Sequence, residues 1–171
     1  MLHLYYGDGK GKTTAAVGLA VRAAGAGKRV LFSQFMKGGR TGEVVALKQI
    51  SNIEILRCDK KMPFYSQMSE EQKTEITKIH NEIIQKISAG LANDHYDVVI
   101  LDEVLYPYEW GLIDKALVRE IIENNKEKVE IICTGNGTEL FFQEEADYIT
   151  HMKADRHPFE KGIGAREGIE Y

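Results

Sequence analysis

The sequence predicts one α/β domain, a mostly parallel sheet with helices on both faces, and three observations carry that prediction. Short apolar stretches of strand length alternate with helical patterns along the chain. A glycine-rich segment, Gly7-Asp8-Gly9-Lys10-Gly11-Lys12-Thr13-Thr14, stands between the first strand-like stretch and the first helical one. Asp97-Val98-Val99-Ile100-Leu101-Asp102-Glu103 is apolar without alternation, as in a strand buried on both faces, and ends in two acids. With 171 residues the chain can bury one sizeable core but is too short for two ordinary domains, so residues 1–171 are expected to form a single unit.

Leu2 to Tyr6 reads as the first strand and Thr13 to Ala26 as a small-residue helix, stopped by Gly25 or Gly27. Strands follow over Arg29 to Phe35 and Ile53 to Cys58, with a glycine-containing loop and a short helix between them. Ser69-Glu70-Glu71-Gln72 has the form of a capping box. It opens a long helix whose Ile76, Ile79, Ile83, Ile84, Ile87 and Leu91 recur at helical spacing, a stripe that core packing explains. After the acidic strand come a helix from Asp114 to Asn125, a strand from Val129 to Thr134, a short helix over Glu139 to Glu145 and a last strand, Tyr148 to Met152. Residues 153–171 are polar and glycine-bearing and read as irregular.

Composition removes several functional classes. Lys plus Arg number 22 against 26 Asp plus Glu, a formal charge of −4, which provides no global field for nucleic acid or anionic lipid. No apolar run is long enough for a bilayer, and no charged leader precedes the first strand, so a cytoplasmic protein is expected, without membrane or nucleic-acid partners. Cys58 and Cys133 are far apart and belong to no C-x-x-C pair; both read as small buried hydrophobes at strand ends. The five histidines show no metal-ligand spacing.

The chemistry lies at two strand ends. A loop that wraps an anion needs inward-turned backbone N–H groups, which glycines permit, followed by the positive end of a helix. Gly7 to Thr14 meets both needs, with Lys12 to neutralise phosphate charge and the Thr13 hydroxyl to ligate magnesium. Only three residues separate Gly7 from Gly11, where the common form has four, so the phosphates need not sit as in kinases and GTPases. Asp102 and Glu103, at the carboxyl end of the buried strand, are both candidates to hold that magnesium. Thr134-Gly135-Asn136-Gly137 falls on the rim of the same cleft or is a plain turn. Met152-Lys153-Ala154-Asp155 has methionine where a guanine-reading segment needs asparagine, which disfavours a GTPase. Lys153, Arg156, Lys161 and Arg166 read as a solvated basic surface before any nucleic-acid patch.

Together the glycine-rich loop, Gln34-Phe35-Met36-Lys37-Gly38, Thr41-Gly42-Glu43, Val98 to Glu103, Thr134-Gly135, His157-Pro158-Phe159, Gly162-Ile163 and Gly168-Ile169-Glu170-Tyr171 resemble the P-loop ATP:corrinoid adenosyltransferases, in order from Leu4 to Tyr171. The short loop spacer is itself a trait of that family. The resemblance implies a P-loop NTPase-like (RecA-like), three-layered fold and an activity. A Co(I) corrinoid attacks the 5′ carbon of ATP, the adenosyl group moves to cobalt, and triphosphate leaves. The acceptor would be cobalamin, cobinamide or cob(I)yrinic acid a,c-diamide. It further implies Mg²⁺ or Mn²⁺, a homodimer and a reduced flavoprotein as electron donor.

On that resemblance Lys12, Thr13 and Glu103 carry catalysis and Gly7, Asp8, Gly9, Lys10, Gly11, Lys12, Thr13 and Thr14 bind ATP. Thr13, Asp102 and Glu103 bind the metal, and residues 153–171 complete the cleft. Phe64 or Tyr65 would lie under the corrin ring and exclude its lower ligand; the phenylalanine-x-tryptophan arrangement of other members is missing here. Tyr106 and Trp110 read as packing residues. The N-terminal helix that closes the site in some relatives is not expected ahead of Leu2. Two other readings use the same loop, a small-molecule phosphotransferase and a nucleotide-gated corrinoid carrier.

Overall fold

A computed structural model describes every residue except Met62 and Thr138. Its strands are β1 (Leu2–Tyr6), β2 (Val30–Gln34), β3 (Ile53–Arg57), β4 (Val98–Asp102), β5 (Glu130–Gly135) and β6 (Tyr148–His151). They form a sheet in the order β3-β2-β4-β5-β1-β6, parallel at every pairing. The helices are α1 (Lys12–Gly25), α2 (Gly42–Leu47), α3 (Glu70–Ala92), α4 (Leu105–Glu109), α5 (Lys115–Asn125) and α6 (Leu140–Glu145).

Alternation along the strands sorts the core into two layers. Val99 and Leu101 of β4 with Ile131 and Cys133 of β5 face α3, α5 and α6. Val98 and Ile100 with Ile132 face α1 and α2, where Ala16, Ala20 and Ala24 let α1 lie close against the sheet. The central strands are therefore apolar on both faces, as their sequences require.

The helix ends follow their sequence signals. Ser69 accepts from the Gln72 N–H, and the Gln72 side chain accepts from the Ser69 N–H, completing the capping box of α3. At the end of α1, Gly27 (φ 79°) takes the left-handed position; its N–H bonds Ala24 O and that of Lys28 bonds Ala23 O, a Schellman closure. Asp114 caps α5 by accepting from Leu117 N–H at 3.1 Å.

Three details differ from the sequence reading. Helix α4 was not expected: five residues around Pro107 are too few to show a helical repeat, yet they bury Leu105 and Tyr108. Cys133 lies inside β5 rather than at its end, where burial pushes its thiol up. Residues 153–171 include one 3-10 turn, Pro158–Lys161.

The chain leaves β1 toward β2 on one side and later returns through β5 to β6 on the other. Such a reversal opens a crevice at the carboxyl ends of the strands. The segments after β1, β2 and β4 line it.

Candidate active site

The loop after β1 is built against the backbone leaving β6. Gly7 (φ 113°) and Gly11 (φ 116°) adopt the left-handed region, and a Cβ on Gly7 would lie 2.4 Å from Met152 O. Gly9 N–H donates to Met152 O at 2.7 Å, and the Asp8 carboxylate accepts from Ala154 N–H at 3.2 Å, a bond that lowers the Asp8 pKa. Both groups therefore tie the loop to the segment after β6. Lys12 Nζ donates to Gly7 O (2.6 Å) and Gly9 O (2.7 Å), bracing the loop from inside, and burial holds its pKa below the ordinary lysine value. Helix α1 starts at Lys12, so its first N–H groups, without intrahelical acceptors, point into the cleft mouth.

Across the cleft, Asp102 is the centre of a side-chain network. It is 0% exposed and accepts from Thr13 Oγ1 (3.0 and 3.2 Å), Gln34 Nε2 (3.1 Å) and Thr134 Oγ1 (2.7 Å). Four hydrogen-bond contacts from three residues largely occupy its lone pairs. Because Thr13 donates its proton to Asp102, its oxygen lone pairs are turned outward. Glu103 differs: its side chain is 21% exposed and lines the cleft. It takes a left-handed φ of 61°, uncommon for a residue with a Cβ, and thereby escapes the alternation that would send it to the opposite face from Asp102. Burial pushes the Glu103 pKa up to about 7, against the pull of Lys37.

Lys37, from the loop after β2, stands between the two sides. Its Nζ is 3.3 Å from Glu103 Oε1, 3.4 Å from Thr13 Oγ1 and 4.0 Å from Glu43 Oε1. Burial works against its charge, but Glu103, Asp102 and Glu43 outweigh that and hold its pKa above the ordinary value. The resulting cleft, about 390 Å³, is lined by the Lys10–Thr14 segment, Lys37, Glu43, Glu103, Tyr106 and Gly168–Tyr171 of the tail. Glu170 joins tail to loop: it lies 3.4 Å from Lys10 Nζ and is paired with Arg166, which pulls its pKa to about 2.

Phe64 and Tyr65 do not enter this cleft. Phe64 is 81% exposed, and Tyr65 stacks on Trp110 with ring centroids 4.4 Å apart. Trp110 in turn meets Tyr106 at 5.3 Å, so a file of rings runs from the cleft wall to Tyr65.

The candidates Gly7 to Thr14 thus converge with Asp102 and Glu103. The sequence assigns no individual role to Lys37, Gln34, Glu43 or Thr134 and reads Tyr106 as a packing residue, whereas Tyr106 lines the cleft. Their segments were singled out, but no local pattern marks a residue whose partners arrive from another strand.

Known proteins resemble this chain in sequence and in fold. A corrinoid adenosyltransferase of Escherichia coli (strain K12) is 30% identical over 168 residues, covering 98% of this chain and 84% of that protein. One from Pseudomonas aeruginosa is 29% identical over 173 residues, covering 100% and 83%. Among solved structures, the flagellar accessory protein FlaH of Methanocaldococcus jannaschii superposes with a TM-score of 0.58 at 16% identity, covering 88% of this chain and 70% of FlaH, a likeness of fold alone. The sequence model of the family described as ATP:corrinoid adenosyltransferase BtuR/CobO/CobP matches residues 1–171, and the chain belongs to that family.

Proposed function

We propose that this protein transfers the 5′-deoxyadenosyl group of ATP to the Co(I) centre of a corrinoid and releases triphosphate. The observation that carries this reading is the cleft in which a shortened phosphate loop faces the cleft-lining Glu103 and, behind it, the buried, hydrogen-bonded Asp102, within a chain that matches the family end to end. Cobalt supplies the electron pair of the new Co–C bond, the C5′–O bond breaks, and its pair departs with the triphosphate. No protein base is required, since the attacking atom carries no proton.

The protein's task is to hold the leaving group and orient C5′. Lys12 and the N–H groups opening α1 bind the triphosphate from the loop side, and Lys10 and Lys37 from the rim. Thr14, in the first turn of α1, lines the same wall. Gly7, Gly9 and Gly11 supply the backbone shape, and Asp8 secures it through Ala154.

The donor set fits Mg²⁺ or Mn²⁺: a threonine hydroxyl with outward lone pairs and a cleft-facing carboxylate are hard oxygen ligands. The Lys37 ammonium already contacts both Thr13 Oγ1 and Glu103 Oε1, which marks the position as attractive to a cation. Thr13 and Glu103 would hold the ion, with Asp102 orienting the Thr13 hydroxyl from behind. Bound there, it would neutralise charge on the triphosphate.

Phe64 and Tyr65 remain the proposed face for the corrin ring, supported by the exposure of Phe64 and the ring file that ends at Tyr65. The tail, residues 153–171, completes the cleft of a single domain, a proposal supported by its contact with Lys10. A reduced flavoprotein donor, a homodimer and a cytoplasmic setting follow from the family reading. Among the described residues no helix is long and apolar enough to cross a membrane. Phosphorus NMR of the products tests the reaction: inorganic triphosphate supports it, whereas ADP would identify a phosphotransferase.

A further inference from the structure

Thr134, at the carboxyl end of β5, is 0% exposed, and its one hydroxyl serves both acids of the cleft. It donates to Asp102 Oδ1 at 2.7 Å and accepts from the Glu103 N–H at 2.9 Å. The first bond fixes the Asp102 rotamer, which in turn accepts from Thr13. The second holds the backbone of Glu103, whose φ of 61° is otherwise unfavourable for a residue with a side chain. Behind Thr134, Gly135 comes so close to α4 that a Cβ there would lie 2.6 Å from Leu105 Cβ, so the end of β5 has little room to shift. The hydroxyl is thus mounted on a rigid strand end, where it bonds both Asp102, the last residue of β4, and Glu103, the next one.

We propose that Thr134 is the positioning residue for the cation- and triphosphate-binding side of the cleft, setting Thr13 and Glu103 through its paired hydrogen bonds. The inference rests on the adenosyltransferase reading of this cleft and assigns Thr134 no contact with substrate. Valine has nearly the shape of threonine but can neither donate nor accept, so it would leave the Glu103 N–H unpartnered in a buried setting. Serine keeps the hydroxyl.

The test compares wild type, Thr134→Val, Thr134→Ser and Lys12→Ala in the full chain, and three quantities are read. The first is Mn²⁺ affinity in the presence of ATP, by electron paramagnetic resonance. The second is amide exchange at Glu103 without ligands, and the third is kcat against KM for the corrinoid. Thr134→Val is expected to weaken Mn²⁺ binding about tenfold, speed Glu103 exchange at least tenfold and lower kcat tenfold or more, with KM for the corrinoid unchanged. Thr134→Ser should restore all of these to within about threefold.

Thr134→Val with Mn²⁺ affinity and kcat within twofold of wild type overturns the assignment, as does a serine variant as impaired as valine. If valine prevents folding, the serine variant and Thr134→Cys, a weak donor of similar size, still decide. Serine should then stay within about threefold of wild type and cysteine fall well below it, and equal behaviour of the two would overturn the proposal. Lys12→Ala separates the two levels: if Mn²⁺ affinity in the presence of ATP and kcat both survive it unchanged, the reading of the cleft fails; if only Thr134→Val is silent, the positioning role fails alone.

Discussion

The two walls of the cleft are made in different ways. The loop wall, Gly7 to Thr14, is local: a contiguous run whose glycines and lysine shape one another, with Lys12 bonded to Gly7 and Gly9, five and three residues away. The acid wall is assembled from four places in the chain, with Asp102 receiving bonds from Thr13, Gln34 and Thr134 at separations of 89, 68 and 32 residues. A wall of the first kind can be recognised from eight residues. One of the second kind exists only once the sheet has set its register, since Gln34 and Asp102 are direct cross-strand partners.

The comparison predicts different failures. The largest effect should come from the loop wall: on the proposed role, Lys12→Ala would remove a charge from the leaving group and is expected to lower adenosyl transfer about 10²–10³-fold. Steady-state kinetics with pre-reduced corrinoid measures it, and turnover within threefold of wild type would remove Lys12 from the site. On the acid wall, Asp102→Asn turns one acceptor oxygen into a donor facing hydroxyls and an amide that already donate. It should cost activity and also about 2–3 kcal/mol of stability, visible in urea unfolding, because the network is buried. Loss of activity with unchanged stability would mean that the network is not structural.

A third prediction concerns the frame behind both walls. His80 is fully buried on α3, bonded to Leu112 O at 2.9 Å, and burial lowers its pKa to about 4 from the 6.5 of an unfolded chain. Below 6.5 the unfolded state takes up the proton first, so stability is complete above that pH and falls as pH drops toward 4. The loss should approach about 3 kcal/mol across that window. Denaturation from pH 7.5 to 4 with His80→Gln as control isolates it; parallel curves for the two proteins would exclude His80 as the cause.

The smallest effect on stability belongs to Phe64→Ala, within about 0.5 kcal/mol for so exposed a ring. Its functional loss should be selective, large when Co(II) must be reduced and slight with pre-reduced Co(I). Equal losses in the two assays would deny Phe64 the axial-ligand role.

The same contrast governs what was legible in the sequence. Each strand was readable within two residues at either end, β2, β4 and β5 most plainly because they are buried on both faces, and the capping box of α3 announced itself in four residues. Helix α4 was not, being shorter than the repeat that would reveal it. Asp102 and Glu103 were equivalent in sequence; the left-handed turn at Glu103 and the saturation of Asp102 distinguish them only in three dimensions. Lys37 has no motif of its own, since its significance lies in Glu103 and Thr13 being 66 and 24 residues away. Asp8 belonged visibly to the loop, but its bond to Ala154 depends on β6 pairing beside β1.

The central claim is that the cleft holds triphosphate as a leaving group while cobalt attacks C5′. The most direct measurement is an anaerobic reaction of the protein with Mg²⁺, ATP and chemically reduced cob(I)alamin, followed by absorbance and by phosphate products. A light-sensitive adenosyl–cobalt species is expected, formed with one triphosphate for each adenosyl group transferred. Accumulation of ADP, or binding of ATP and corrinoid with no Co–C bond formed, would contradict it.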